Sequence, residues 1–350
     1  MRLYNLLICI AYIFCCSKQL HSRSVLRPTN PNMPQLIAKW ADADYPIYSI
    51  TDSHVEEHPL FTTFNEAHFN RNRLPRANIP YRYNSKKSVS GTRIGKLIEH
   101  LIIEIKNGKK KYTDFVLIQD KDFNLKKAAG LAVFKFKNYP FILKLFIETP
   151  ESFVNPWMKG TEPIWFFYMG GGVNRHITGL TRIRNRDIII DRLHQIPKWR
   201  DFVDTPRKWF WTPKNLKWVE LIGKNIGEKK SVTTKIPSTY AIIADCIEAT
   251  EEITIFDRHK RKIALEICNT LDLYIDPHID NYMVEKGTNK LVIIDTEHFP
   301  TLVGFKEKRS FKTYVRWYLG LAGKATHAIY FRNKKERLLA QTTPSQLSIF

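Results

Sequence analysis

The chain has 350 residues, of which 43% are hydrophobic and 13% are aromatic. A chain of this length and composition can bury a large core, which excludes a disordered protein and predicts one or two globular domains. Lysine and arginine number 55 against 34 acidic residues, so the formal net charge is +21. This excess points to an anionic partner such as nucleic acid, phospholipid, a nucleotide or an acidic protein.

The N-terminus, MRLYNLLICIAYIFCCSKQLHS, places one early arginine before an apolar stretch from Leu6 to Cys16. This stretch is short for a membrane span and has the length of a secretory h-region. We therefore predict a signal peptide over residues 1–17 and a secreted or exported protein. An uncleaved anchor and a form lipid-anchored through Cys15 or Cys16 are the alternatives.

Residues 18–90 are rich in Pro, Asn, His and Arg and show little periodicity, which predicts an extended N-terminal segment. Regular structure begins at GTRIGKLIEHLIIEIKNG. Apolar residues from Ile94 to Ile105 recur there at three- and four-residue steps, and Gly108 ends the pattern. This spacing predicts an amphipathic helix at the start of the folded domain.

Three short apolar runs follow the predicted helix: DFVLIQD, GLAVFKF and PFILKLFI. Turn-forming residues separate them, so we predict three antiparallel strands joined by hairpins. Lys126 and Lys127 lie in the first connection, and Lys144 interrupts the third strand. An isolated lysine in a half-buried strand ordinarily faces solvent, and this is the default interpretation of Lys144.

Residues 148–235 form a long, irregular insertion that contains the basic stretch TRIRNRD. The alternation of Arg182, Arg184 and Arg186 is typical of the solvent-exposed face of a strand, although a direct role in a site stays open. Further on, STYAIIADCIEA predicts a buried strand. ITIFDRHKRKIALEICNTL predicts a helix with Ile263 and Ile267 facing inward.

Oxygen ligands concentrate in YIDPHIDNYMVEKGTNKLVIIDTEHFP, which directly follows that helix. A hairpin across the EKGTN turn would bring Asn281 beside Asp295, and amide and carboxylate oxygens suit Mg²⁺ bound together with substrate phosphates. Asp276 is then able to orient or deprotonate an attacking hydroxyl. Phosphoryl transfer needs this division of roles. A polar hairpin whose Asp276 and Asn281 satisfy only turn backbone is the structural alternative.

The spacing of these residues resembles that of the protein-kinase-like superfamily. The sequence DPHIDN, followed by IIDTE, is similar to the catalytic loops of phosphatidylinositol 3- and 4-kinases and to aminoglycoside-phosphotransferase-type loops. The resemblance implies that Asp276 is the catalytic base or orienting residue and that His278 assists it. It also implies that Asn281 and Asp295 are the metal ligands.

The same resemblance implies ATP-binding roles upstream. Lys144 would contact the nucleotide phosphates, and the turn with Lys126 and Lys127 would cover the nucleotide. Residues near Asp245 to Glu248 would form a hinge against adenine.

The implied fold is α+β: a two-lobed protein-kinase-like fold with an antiparallel N-lobe sheet and a small, mostly helical C-lobe. The N-lobe would occupy residues 91–248, with the long insertion after the third strand. The C-lobe, reduced and carrying the catalytic loop, would occupy residues 249–350.

These features predict a secreted phosphotransferase that uses ATP and Mg²⁺ to phosphorylate a hydroxyl of a lipid, protein or small molecule. A pseudokinase that binds a nucleotide or partner is the first alternative. Thr296 and Glu297 follow Asp295 where the family has another motif, and the glutamate partner of Lys144 is not evident among Glu151, Glu162 and Glu220.

A basic nucleic-acid-binding protein is the second alternative. It rests on charge alone, since the sequence contains no recognisable nucleic-acid-binding module. The basic surface would equally suit an anionic membrane surface or an acidic protein partner.

Overall fold

A computed structural model describes residues 35–40, 47–49, 59–150, 173–224, 231–250, 257–271, 275–276 and 279–298. The predicted signal peptide at 1–17, His278 and the part of the expected C-lobe beyond residue 298 lie outside the described residues. None of the described helices is long and apolar enough to cross a membrane.

The described residues alternate between strands and helices in an α+β arrangement, as predicted. The strands are β1 Gln35–Trp40, β2 Ile47–Ser49, β3 Asn78–Tyr81, β4 Asn84–Ser90, β5 Phe115–Asn124, β6 Ala129–Phe136, β7 Phe141–Ile147, β8 Val203–Asp204, β9 Lys208–Trp211, β10 Trp218–Lys224, β11 Ser231–Pro237, β12 Thr239–Asp245, β13 Tyr282–Val284 and β14 Leu291–Ile293. The helices are α1 Pro59–Thr62, α2 Glu66–Arg71, α3 Gly91–Lys106, α4 Val173–Gly179, α5 Arg182–His194, α6 Pro197–Arg200 and α7 Arg258–Thr270, with a 3₁₀ turn at Ile279–Asn281.

A five-stranded antiparallel sheet in the order β5-β6-β7-β12-β9 forms the centre of the fold. Its first three strands are the predicted hairpin-linked strands. The strand predicted after the insertion, β12, pairs along its whole length with β7, so that Ile242 lies opposite Lys144. On its other side β12 pairs with β9, where Ala244 lies opposite Lys208. Paired residues point to the same side of a sheet, and so do Ile242 and Ala244, which are two residues apart on β12. Lys144 and Lys208 therefore share one face.

Helix α3 packs against the opposite face of this sheet. The Ser90 side chain caps its first turn by accepting a hydrogen bond from the backbone N–H of Thr92 at 3.2 Å. The apolar stripe predicted from the sequence is buried, with Leu101 packed among sheet residues such as Phe134 and Leu143. The helix prediction is therefore confirmed.

A second core lies on the face that carries Lys144 and Lys208. It joins Phe146, Phe210 and Tyr240 of the sheet to apolar residues of α4, α5 and a second sheet. That second sheet has the order β11-β10-β1-β2.

The segment at 18–90, predicted to be extended, contains more structure than expected. Strand β1 pairs with β10 nearly two hundred residues away, with Ile37 opposite Ile222, and β3 and β4 form a hairpin. A pairing partner so distant leaves no periodic signal within the segment itself, because strand pairing is fixed by tertiary contacts.

The third core is built around α7 and the predicted hairpin of β13 and β14. Ile267 of α7, Tyr282 of β13 and Ile293 of β14 are buried together with Leu193 of α5. The Asp257 side chain caps α7 by accepting from the N–H of Lys260 at 2.9 Å. The helix therefore begins later than its apolar pattern predicted, and its Ile267 is buried as expected.

One prediction about the insertion is wrong. Arg182, Arg184 and Arg186 lie on helix α5 rather than on a solvent-exposed strand. Helical spacing puts Arg182 and Arg186, four residues apart, on one face and turns Arg184 away from them, so Arg182 is 1% exposed whereas Arg184 lies at the surface.

Candidate functional site

Lys144 and Asp295, which are 151 residues apart, meet at the end of the β13–β14 hairpin. The Nζ atom of Lys144 donates a hydrogen bond to Oδ2 of Asp295 at 2.7 Å. The Lys144 side chain is only 23% exposed and that of Asp295 18%. The default expectation of a solvent-facing Lys144 is therefore wrong.

The hairpin brings Asn281 to the same end. Tyr282 lies opposite Ile293, and the backbone N–H of Ile294 donates to the carbonyl of Asn281 at 2.9 Å. The Asn281 amide nitrogen donates to the backbone carbonyl of Asp276 at 3.2 Å. The predicted hairpin is confirmed at the backbone level, and it aligns the Asp276 loop with the chain that leads into Asp295.

Glu297 is bound by two arginines from the insertion. Nη2 of Arg182 lies 2.9 Å from Oε2 of Glu297, and Nη1 of Arg175 lies 2.7 Å from the same oxygen. The Thr178 hydroxyl donates to the other carboxylate oxygen. Arg182 also reaches Asp295, with its Nε 3.2 Å from Oδ1. One fully buried guanidinium therefore bridges the two carboxylates of the Asp-Thr-Glu segment.

Thr296, between these carboxylates, is held by the sheet and by α5. Nζ of Lys208 donates to Oγ1 of Thr296 at 2.7 Å, and that hydroxyl donates to the carbonyl of Arg182 at 2.6 Å. Nδ2 of Asn185 donates to the Thr296 carbonyl at 2.9 Å. Every residue of the segment is thus fixed by contacts from the insertion or from β9.

The surrounding cations decide the charge state of the site. Burial alone would raise the pKa of Asp295, but Arg182, Lys144 and Lys208 together hold it far below its usual value. Burial and Arg182 lower the pKa of Lys144, against the opposing effect of Asp295. Burial lowers the pKa of Lys208 well below its usual value. Asp295 is therefore an ionised carboxylate, while burial opposes the charged form of Lys208.

The structure places the other predicted residues apart from this cluster. Lys126 and Lys127 are exposed in the β5–β6 turn. The buried Asp245 carboxylate accepts hydrogen bonds from Nε and Nη2 of Arg207 at 2.9 and 2.8 Å. Around Glu248, the backbone N–H donates to the Tyr83 hydroxyl at 3.0 Å and the carbonyl accepts from the N–H of Lys286 at 2.7 Å. Contact of this stretch with adenine stays a prediction.

The glutamate partner considered for Lys144 is not found among the described residues. Glu220 instead lies 3.5 Å from Lys39 and 3.9 Å from Lys235, while Glu151 and Glu162 lie outside the described residues. Within the part of the chain that the structure describes, Asp295 is the carboxylate that pairs with Lys144.

Sequence reasoning missed Arg175, Lys208 and Glu297 and misassigned Arg182. A signal for α5 was present, since Leu180 and Ile183 are three residues apart and Ile189 and Leu193 are four apart. Lys208 opens the short strand KWFW, where no pattern distinguishes a buried lysine from a solvated one.

No protein-family model, curated protein or solved structure shows significant similarity to this chain. Among the described residues, no three His, Cys, Asp or Glu side chains are grouped as metal ligands. Mg²⁺ bound through substrate phosphates ordinarily takes only one or two protein carboxylates.

Proposed function

We propose that the protein is a kinase-like phosphotransferase that moves the γ-phosphate of ATP to a hydroxyl acceptor. The observation that carries the proposal is the 2.7 Å contact between Lys144 on the third strand of the sheet and Asp295 directly after the hairpin. A lysine able to bind phosphate oxygens and a carboxylate able to bind a metal ion meet there. Phosphoryl transfer depends mainly on such positioned charges.

The order of elements supports the proposal. A hairpin of β5 and β6 leads into β7 with its lysine, β12 lies beside β7, and α7 precedes the Asp276 loop and the β13–β14 hairpin. This is the order that the protein-kinase-like resemblance implies. In a two-lobed arrangement, the five-stranded sheet with α3 would be the N-lobe, and the core around α7 would belong to the C-lobe.

Asn281 and Asp295 fit a Mg²⁺ site by their chemistry. The amide nitrogen of Asn281 is engaged by the Asp276 carbonyl, which leaves the amide oxygen as the ligand atom. Asp295 is held ionised by its cationic neighbours. Mg²⁺, when bound with ATP, neutralises charge on the phosphate oxygens.

The chain's own residues would divide the remaining work. Lys144 would exchange its contact with Asp295 for a contact with a nucleotide phosphate. Asp276 would accept the proton of the acceptor hydroxyl, and the exposed Lys126 and Lys127 would cover the nucleotide from the β5–β6 turn. Transfer would then leave ADP and a phosphorylated acceptor.

A pseudokinase is the second candidate, and a specific observation favours it. Oδ2 of Asp295 is taken by Lys144, and Oδ1 lies near Arg182 and accepts from the N–H of Glu297 at 3.1 Å. A carboxylate so compensated binds a metal ion only if a cation leaves it. A chain that keeps Lys144 on Asp295 would bind a nucleotide or partner without transferring phosphate.

ADP formation from Mg-ATP, with the γ-phosphoryl group passing to a supplied hydroxyl acceptor or more slowly to water, tests the proposal. Asp276→Asn should lower the rate on the order of 100-fold or more, the contribution of a positioned general base, while Mg-ATP affinity is retained. Asp295→Asn should weaken Mg-ATP binding itself. Asp280→Asn, an exposed residue of the same loop, is the matched control and should behave as the wild type.

The two candidates give different results. Equal ADP formation by the wild type and an Asp276→Asn, Asp295→Asn double variant would refute phosphoryl transfer at this site. Mg-ATP binding without ADP formation in the wild type would favour the pseudokinase.

Export to a compartment without ATP would leave such an enzyme idle, so the proposed activity requires an ATP-containing lumen or a host cell. The net charge of +21 suits an acceptor on an anionic membrane surface or on an acidic protein. Fusion of residues 1–30 to a reporter enzyme tests the export, and retention of the reporter inside the cell would contradict it.

A further inference from the structure

Lys208 is a buried lysine that lacks a carboxylate partner in the described part of the chain. The residue is 4% exposed, and its Nζ donates to the neutral hydroxyl of Thr296. No carboxylate of the described residues lies within ion-pairing distance of it. Asp295 attracts the ammonium group from beyond ion-pairing distance, so the group has lost its hydration without gaining a directly paired counter-charge.

Arg182 has a similar deficit. Nη2 faces Glu297 and Nε lies within ion-pairing distance of Asp295, but neither Nε nor Nη1, both of them buried, has a hydrogen-bond acceptor among the described residues. The guanidinium carbon lies 5.6 Å from the centre of the Phe146 ring, which offers a weak contact to the cation rather than an acceptor. A buried guanidinium nitrogen without an acceptor costs free energy.

The hydrogen-bonded group around the Asp-Thr-Glu segment has more cations than anions. Its cations are Lys144, Arg175, Arg182 and Lys208, and its carboxylates are Asp295 and Glu297. Because Arg175 has a further interaction of its own, the balance is that of Lys144, Arg182 and Lys208 against Asp295 and Glu297, which leaves one positive charge without a carboxylate among the described residues. A bound anion with several oxygen acceptors would supply both the missing charge and the missing acceptors.

We propose that Lys208 and Arg182, together with Lys144, form a subsite that binds the phosphate chain of a polyphosphate anion without the help of a metal ion. The subsite deepens the proposed function and rests on it, since a nucleoside triphosphate is the ligand that the same site would use. Lys144 and Lys208 approach the anion from one face of the sheet, and Arg182 approaches it from α5.

The competing explanation is that Lys208 and Arg182 only hold the segment at 295–297. Lys208→Met separates the two explanations. The Thr296 hydroxyl keeps its bond to the Arg182 carbonyl in this variant, and methionine fills a similar volume without a buried charge. A ligand-binding Lys208 therefore predicts unchanged or higher thermal stability together with lost anion binding.

The experiment is calorimetric titration of the full chain with inorganic tripolyphosphate in the presence of EDTA. We expect binding by the wild type, at least tenfold weaker binding by Lys208→Met, and a midpoint of thermal unfolding that is not lowered in that variant. Lys135→Met removes the same charge from an exposed position on β6, and it should bind as the wild type does. Orthophosphate, with fewer oxygens and charges, should bind more weakly than tripolyphosphate.

Three results would overturn the subsite: no tripolyphosphate binding by the wild type at millimolar concentration, equal binding by Lys208→Met, or unfolding of Lys208→Met. Its failure differs from failure of the proposed function. Metal-free tripolyphosphate binding without ADP formation would support the subsite and refute the proposed phosphotransferase activity. ADP formation by the wild type, together with unimpaired tripolyphosphate binding by Lys208→Met, would support the phosphotransferase activity and refute the subsite.

Discussion

Asp295 is a carboxylate held between two cations of different exposure. Lys144 reaches it from a strand with a side chain that is 23% exposed, whereas Arg182 is fully buried and is also bound to Glu297. Lys144 is therefore the cation that can leave. In the proposed function, Lys144 would leave Oδ2 of Asp295 when a metal ion binds, while Oδ1 would stay beside Arg182.

The buried His176 side chain should make the stability of the protein depend on pH. Burial lowers its pKa from 6.5 to about 4, against a 2.7 Å hydrogen-bonding contact between its Nε2 and the Pro237 carbonyl. The unfolded chain binds more protons at this residue between those two values, so stability is present above pH 6.5 and is lost as the pH falls toward 4. The loss from this residue is on the order of 3 kcal/mol.

Urea unfolding at about pH 7 and about pH 5 measures this loss of stability. The loss should be smaller in His176→Gln, because glutamine does not titrate and can still donate a hydrogen bond to the Pro237 carbonyl. His298, whose pKa burial and Arg184 also lower to about 4, still contributes in that variant. Identical pH dependence of the two proteins would contradict the assignment.

Helix α5 is the element that organises the site. Its first turn supplies Arg182 to Asp295 and Glu297, while Ile189 and Leu193 from its second half are buried in the core around α7. One helix therefore joins the site to that core. Movement of α5 would move Arg182 against the Asp-Thr-Glu segment.

The β3–β4 hairpin connects distant elements through its turn. Nε of Arg82 lies 2.6 Å from Oε1 of the buried Glu285, and Nη2 lies 2.7 Å from Oδ2 of Asp204. The Tyr83 hydroxyl donates to the same Glu285 oxygen at 2.8 Å and accepts from the Glu248 N–H. The turn thus joins the end of β12 to the β13–β14 hairpin.

Arg82→Ala should destabilise the protein by about 3 kcal/mol, because it leaves the Glu285 carboxylate buried without its cation. Urea unfolding measures the loss. Arg76→Ala, on the exposed chain just before β3, should change stability by less than about 0.5 kcal/mol. A loss in Arg82→Ala no larger than that of the control would show that the turn does not hold these elements together.

Local patterns predicted the elements whose partners lie nearby in the chain. Helix α3, strands β5 to β7 and the β13–β14 hairpin follow from apolar spacing and turn residues. The pairing of β1 with β10 and the burial of Lys208 depend on residues far away in the chain, so no local pattern reports them. Arg182 was misassigned because alternating arginines were given the period of a strand, although nearby apolar residues carry the period of a helix.

At the scale of the whole molecule, the described residues form three cores, and each of these shares an element with the charged site. One core joins α3 to the sheet, the second joins the sheet to α4 and α5, and the third surrounds α7. Lys144 and Lys208 come from the sheet, Arg182 from the insertion, and Asn281 and Asp295 from the hairpin. A site assembled from such separate parts of the chain requires the whole fold, so its test requires the intact protein.

The most direct test is thermal unfolding of residues 18–350 with ATP, in the presence and absence of Mg²⁺. We expect millimolar Mg-ATP to raise the unfolding midpoint more than ATP with EDTA does, and we expect Asp295→Asn and Asn281→Ala to lose the Mg²⁺-dependent part of the shift. Each variant is compared with its own ligand-free midpoint. Asp191→Asn, an exposed carboxylate on α5, should keep the full shift. If ATP does not raise the midpoint of the wild type, with or without Mg²⁺, the proposed nucleotide site is contradicted.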